Sequence, residues 1–310
     1  MHLRSTAEAT LDSPGPLSID VRRQGREFRG NRARVETATA WLYLVPILVA
    51  VIVLRLYPVG TAIKDSFAGP HGATFANYSF LFSDPQFQHS LLITLIFNAI
   101  VNPFQILIAL GLAVLLTRKL PGRNILRALI FAPVAMPIPV SAVVWGQLFA
   151  QDGAANGFLK LLGIPAQGFI ASQSEALVSI VILATWIGVG FWMVFLIAGL
   201  NEIPTALYDA ASVDGAGPLR RFWYVALPLL RRPLTFVLVA DTLANLVLFA
   251  PVQILTSGGP LNATDLLMYD IYNEAYVGQL TNIASAETLV LVLLSLVIVI
   301  IEFRLLRSRV

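Results

Sequence analysis

The stretch YDAASVDGAGPLRRFWYVALP, residues 208–228, lies between two long apolar runs. It holds two carboxylates (Asp209 and Asp214), a pair of arginines, alanines beside glycines, and a closing Leu-Pro. Leu207 to Ala211 suit a short helix, with Pro204 near its start, where the missing N–H is no loss. Gly215 and Gly217-Pro218 break that helix. A second helical piece, Leu219 to Ala226, leads to Leu227-Pro228. The segment reads as helix, glycine turn, helix, and what surrounds so polar an insert decides the fold.

The surroundings are apolar. Of 310 residues, 57% are hydrophobic and 13% charged, where a soluble domain carries about 25% charge. One soluble core could not hide that much apolar surface, so the membrane class leads. The net charge of +3 carries no argument for nucleic acid. Cysteine is absent from the sequence, which excludes disulfides and thiolate metal sites. Residues 1–37 differ in kind: seven arginines among Gly and Pro read as a mobile basic tail, or as a lipid-headgroup contact. They do not read as a secretory signal, because the apolar run starts some 40 residues in and is long enough to stay.

A bilayer core needs about 20 apolar residues per helix. Six stretches qualify: 39–59, 91–116, 125–149, 176–200, 233–255 and 287–306. The run PVAMPIP, 133–139, predicts a break or kink in the third. Eighteen of the 21 Lys and Arg lie in the tail, the 117–127 and 201–232 connections and the C-terminal end. Arg55, Lys64 and Lys160 lie at or beyond the opposite ends. By the bias of Lys and Arg to the inner side, both termini and the 203–228 insert are expected in the cytoplasm. The outer connections 60–90, 150–175 and 256–286 contain amphipathic pieces, 75–82 and 273–278, that predict short interfacial helices.

Within this frame the insert is either a bland connection or a docking element. Ala210 and Ala211 would let another surface approach closely, and Asp209 and Asp214 would accept from its basic residues. Asp241 is the one carboxylate near the middle of a span, which marks a functional site by default. A hydrogen bond to another helix is the plainer reading. Asn245, four residues on, shares its face. Asn98, Asn102 and Gln105, at i, i+4 and i+7, form a polar stripe on the second span, either interhelical glue or the wall of a hydrophilic path. A phosphate-binding G-x4-G-K-[ST] loop is missing, no Ser-His-Asp set or metal cluster is apparent, and the three His (His2, His71, His89) lie outside the spans. The chain is therefore expected not to be a catalyst by itself.

Asp209-Ala210-Ala211, three residues, Gly215, nine residues, then Val225-x-Leu227-Pro228 resembles the E-A-A-x3-G-x9-I-x-L-P loop of binding-protein-dependent ABC importer permeases, with Asp for Glu and Val for Ile. The likeness covers most of the chain after residue 38. AGLNEIPTALYDAASVDGA (198–216), ILTSGGPLNATDLLMYDIYNEAY (254–276), VVWGQLF (143–149) with Asn156-Gly157, and FANYSFLFSDPQF (75–87) are similar to the carbohydrate type, the maltose and glycerol-phosphate permease class.

The resemblance implies an all-α integral membrane protein of the cytoplasmic (inner) membrane. It would have the type I ABC importer permease fold: six transmembrane helices over 38–310 with a cytoplasmic coupling helix in 203–228. In such a protein Asp209, Ala210, Ala211 and Asp214 would seat in an ATPase subunit, Gly215 would allow the turn, and Leu227 and Pro228 would set the approach to span five. The implied partners are a second homologous permease, two ATPase subunits that bind ATP and Mg2+, an extracytoplasmic substrate-binding protein and the bilayer, with no nucleic acid and no cofactor on this chain. The GGP loop places the chain in one particular half of the heterodimer. The family's sugar contacts map to Ala184, Ile187, Gly188 and Phe191 on span four and to Asp241, Ala244 and Asn245 on span five. Asn98 and Asn102 are candidates for the same path. Trp186 and Trp192 lie near enough to offer aromatic stacking. An intramembrane carboxylate would repel an anion, which favours a neutral sugar over a glycerol phosphodiester; a glycerol phosphodiester or another polyol carried by the same machinery is the alternative. A secondary transporter or channel explains six spans and Asp241 but not the insert, and a membrane scaffold predicts no polar stripe.

Overall fold

The computed structural model describes residues 41–70, 72–118 and 120–306. The basic tail, His71, Lys119, Arg307 and Arg309 lie outside the described residues. The chain divides into two compact units at Gly60. In the first, residues 41–60 belong to helix α1, Trp41–Ser66, which is π-helical over Ile52–Leu56. The second unit, Thr61–Val310, holds every site residue.

That unit opens with an antiparallel pair of two-residue strands, β1 (Ala68–Gly69) and β2 (Gly72–Ala73), which the sequence pattern does not predict. Helix α2, Ala76–Ser83, follows, the first of the expected short outer helices. Asp84 then caps α3, Pro85–Thr117, accepting from the backbone N–H groups of Gln86 and Phe87 at 3.2 and 3.4 Å, with Pro85 at the first position. This cap starts α3 six residues before the apolar run does. Hydropathy measures contact with lipid, whereas the cap supplies hydrogen bonds to a polar first turn.

The third span is two helices, α4 (Arg123–Phe131, continued by a 3-10 turn to Ala135) and α5 (Ile138–Leu148), bent by 103°. Pro133, Pro137 and Pro139 remove three backbone donors around Met136, and the residue before each proline disfavours the helical region. Neither half is long enough to cross a bilayer alone. Helix α6, Ala154–Leu161, leads to α7, Ala176–Asn201. At Gly190, α7 passes the break so closely that a Cβ there would stand 2.2 Å from the Ile130 carbonyl oxygen. Only glycine fits this approach.

After the insert, span five is α10 (Arg231–Leu246) and α11 (Ala250–Leu255), with a short interruption at 247–249. The 256–286 connection, expected from the sequence to be the outer loop, carries α12, Leu267–Tyr272, extended by a π-helical turn over Asn273–Val277. Span six, α13, runs Thr281–Leu306, starting earlier than its apolar core. Helices α3 and α7 pack along each other most extensively, with α10 against both and α13 against α10. Three apolar clusters result. One joins the C-terminal halves of α3 and α7 to Ala226, Leu230 and Val237. A second gathers Leu81, Phe87, Leu267 and Leu291. The third lies between α3, α7 and the outer loop around Phe97, Ile180 and Leu266.

Candidate functional site

The insert folds as its glycines and prolines direct. Helix α8, Thr205–Val213, starts after Pro204. It ends in a Schellman turn: Gly215 N–H donates to Ser212 O at 3.1 Å, and Ala216 N–H to Ala211 O at 2.8 Å. Gly215 has φ +76°, with open space where a Cβ would be, so its backbone angle demands glycine. Helix α9, Pro218–Arg221, follows with proline at its first position, then a π turn over Phe222–Ala226 and a helical turn Leu227–Leu229. The π turn answers to Pro228, whose ring would clash with the carbonyl four residues back in a regular helix. Arg221 Nη1 donates to Ser212 Oγ at 2.9 Å and straps the two limbs together.

One face of this element is anchored and the other free. Tyr208, Phe222 and Leu227 pack on the inner apolar cluster around buried Ala226 and Leu230. Asp209, Ala210, Asp214 and Gly215 are exposed, Ala211 and Pro228 half-buried. Neither carboxylate makes an ion pair among the described residues.

The membrane-embedded candidates divide. Asp241, Asn245, Asn102 and Asn98 meet in one buried network. Trp192 Nε1 donates to Asp241 Oδ1 at 2.7 Å, and Asn245 Nδ2 to the same oxygen at 3.2 Å. Asn245 Nδ2 also donates to Asn102 Oδ1 at 2.9 Å, and Asn102 Nδ2 to Thr242 Oγ1 at 2.8 Å. Thr242 donates to Glu302 Oε1 at 2.7 Å and brings in α13. Asp241 is 1% exposed, and its Oδ2 has no partner among the described residues. Gln105 presses over Gly188, where a Cβ would lie 1.7 Å from its Nε2. Of the stripe on α3, Asn102 hydrogen-bonds another helix, Asn98 bonds within α3, and Gln105 Oε1 is buried without a partner among the described residues. Ala184 is buried in the outer apolar cluster. Ile187 is half-buried, whereas Phe191 and Ala244 are exposed, and Phe191 lies edge-on to Trp192, centroids 4.8 Å apart. Trp192 Nε1 is engaged by Asp241, and Trp186 sits edge-to-face with Trp145 at 5.6 Å.

A further site escaped the sequence reading. The 256–266 loop turns on four residues with left-handed or glycine angles, Ser257, Gly258, Leu261 and Asn262. It docks on the N-terminal end of α3. Ser90 Oγ donates to Asp265 Oδ2 at 2.9 Å, Gln86 Nε2 donates to the same carboxylate, Asn262 Nδ2 donates to Gln86 Oε1 at 2.9 Å, and Leu267 N–H donates to Thr94 Oγ1 at 2.7 Å. Asp265, Asp270 and Glu287 are buried here, with Asp84 and Glu274 half-buried beside them. Burial pushes Asp270 up from 3.8 to about 7, with Asp265 adding to the rise. Burial also lifts Asp265 to about 6, against the Ser90 hydrogen bond and His89. Glu274 is raised mainly by burial. The signal was available: Ser90 and Thr94 continue the stripe of Asn98 and Asn102 at the same spacing of four.

The family described as binding-protein-dependent transport system inner membrane component matches residues 105–310. The chain is similar to the sn-glycerol-3-phosphate transport system permease protein UgpA of Brucella abortus, 32% identical over 281 residues, 87% of this chain and 95% of that one. The Yersinia enterocolitica protein of the same name is 32% identical over 279 residues, 87% and 94% of the two chains. Among solved structures, one chain of a bacterial ABC transporter involved in import of the acidic polysaccharide alginate superposes with TM-score 0.78 at 19% identity, covering 90% of this chain and 98% of that one. The alginate transporter in complex with a pentasaccharide-bound periplasmic protein gives 0.79 at 20%, covering 88% and 95%.

Proposed function

The chain belongs to the binding-protein-dependent transport system inner membrane components, and from that premise we propose that it forms half of the translocation path of an ATP-driven importer. A second homologous permease supplies the other half. Two ATPase subunits bind ATP and Mg2+, and one of them docks on α8 and its glycine turn. A binding protein outside the membrane delivers cargo to the outer loops. Both termini face the cytoplasm.

The observation that carries this reading is the insert. Its apolar side is anchored on Ala226 and Leu230, while Asp209, Ala210 and Asp214 stand free on a helix closed by a rigid turn. A protein surface can seat there, and Asp209 can pair with a basic residue on it. Such a contact transmits rigid-body motion, because Leu227 and Pro228 lead directly into α10.

The cargo is a small polyhydroxylated solute. A sugar is the first reading. A glycerol phosphate is the second, favoured by the names of the relatives. Asp241 accepts from Trp192 and Asn245, neutral donors that leave its charge in place, so it continues to favour the neutral cargo. Ile187, Phe191 and Ala244, which keep exposed surface, are the stronger path candidates.

Affinity purification of the tagged chain from its own membrane tests the assembly. Native chain should bring an ATPase, a second permease and a binding protein, and that binding protein can be screened against sugars and glycerol phosphates. Asp209→Lys should keep the second permease but lose uptake, with ATP hydrolysis uncoupled from transport. A native chain that repeatedly emerges alone, or a variant with normal uptake, would overturn the reading.

A further inference from the structure

The C-terminal end of α3 and the second limb of the insert enclose a groove. Its volume is ≈ 580 Å3, within the roughly 300–1,000 Å3 of small-molecule sites. Leu107, Gly111 and Val114 form one wall, and Leu219, Phe222 and Trp223 the other. These walls are open to their surroundings: Leu107 is 67% exposed, Leu219 72% and Trp223 56%. Arg118 lines the groove just where α3 stops. From Leu107 to Arg118 the helix rises roughly 16 Å at about 1.5 Å per residue. That is about half of a hydrocarbon core ~30 Å thick.

Charge completes the description. Among the described residues, no carboxylate lines the groove. Arg220 lines an adjoining hollow with Trp223 and Tyr224, and Arg221 another that shares Arg118. An apolar slot one leaflet deep, with guanidinium groups at its polar end, matches a single lipid: acyl chain in the slot, phosphate at the arginine. A zwitterionic lipid carries its own ammonium, which competes for that phosphate. A net-anionic headgroup leaves its charge to Arg118 and Arg220.

We propose that this groove binds an anionic phospholipid from the leaflet facing the arginine-rich loops, with an acyl chain along Gly111 and Trp223 and the phosphate on Arg118. The lipid then ties the second limb of the helix–turn–helix to α3, so that membrane composition acts on the element that docks the ATPase. Only this last consequence rests on the proposed function; the binding itself does not.

The full chain, with the partners it retains, is reconstituted into nanodiscs containing brominated phosphatidylglycerol or brominated phosphatidylcholine at equal mole fraction. Bromine quenches tryptophan on contact, and Trp223→Phe isolates that residue's emission among the five tryptophans. The expected result is at least twofold stronger quenching of Trp223 by phosphatidylglycerol, with the preference lost in Arg118→Gln. Gly111→Phe, whose side chain would extend into open space, should fill the slot and weaken quenching by both lipids. Equal quenching by both lipids in the native chain would mean ordinary boundary lipid and overturn the proposal. Absence of quenching by either would mean that a partner subunit covers the groove, with the same consequence. Neither failure touches capture of an ATPase, which is read separately.

Discussion

Asp241 would read as a substrate ligand from its position alone, a carboxylate in mid-span. Its Oδ1 is engaged within the protein: Trp192 and Asn245 both donate to it, and Asn245 links onward to Asn102, while Oδ2 has no partner among the described residues. Removing the carboxylate leaves buried donors unmet, at about 1–3 kcal/mol for each. Asp241→Asn keeps an acceptor in place. Asp241→Ala should therefore lower the unfolding temperature of the detergent-purified protein by several degrees, while Asp241→Asn stays close to native in stability and uptake. Uptake abolished in Asp241→Ala with unchanged stability would instead return the residue to the substrate path. The residues themselves and their shared helix faces were legible beforehand. The partnership with Trp192 was not, because it joins α7 to α10, 49 positions apart.

The elements that depart most from the hydropathy pattern are those where the 256–266 loop docks on the N-terminal end of α3. Helices α3 and α13 both begin about six residues outside their apolar runs, and α12 carries a buried acid. Asp270 shares this region with Asp84, Asp265 and Glu274, and with Glu287 of α13. In the unfolded chain Asp270 ionises near pH 4, as an ordinary Asp does. In the fold it keeps its proton to about pH 7. Between those values the folded state binds more protons, so this group lowers stability as pH rises through the window and has no further effect above it. Asp270→Asn should then be more stable than native at pH 8, by about 2–4 °C in unfolding temperature for each kcal/mol recovered. The advantage should vanish near pH 4. An equal shift at both pH values would show that ionisation is not the cause. Asp265→Asn should move the same way over a narrower window, since Asp265 rises only to about 6.

For the whole molecule the open arithmetic is parity. Among the described residues, five helices are long and apolar enough to cross, and the bent pair α4–α5 makes a sixth if it counts as one span. As a re-entrant loop it would put 201–232 on the face opposite 118–127 and divide the arginines between the two sides. As a span it keeps them together, which the inner-side bias of Lys and Arg favours. The chain has no native cysteine, so single cysteines report directly. Val213 and Leu261 are 88% and 79% exposed. With an impermeant maleimide, Leu261→Cys should label in intact spheroplasts and Val213→Cys only after lysis. The reverse pattern would make α4–α5 re-entrant, and labelling of both from one side would refute the path between them.

Local chemistry was enough to determine the membrane class, the apolar runs, the proline break at 133–139 and the helix–turn–helix within 203–228. Each follows from transfer of apolar side chains to lipid, from the φ that Gly215 alone adopts cheaply, or from donors that prolines lack. Spacing along the chain does not state which faces meet. Only the tertiary structure joined Asn98 and Asn102 to Asp241, laid Gln105 over Gly188, buried Asp265, Asp270 and Glu287 together and opened the groove beside Arg118. These depend on contacts between residues tens to nearly two hundred positions apart, where hydrogen-bond geometry and close packing, rather than hydropathy, select the partner.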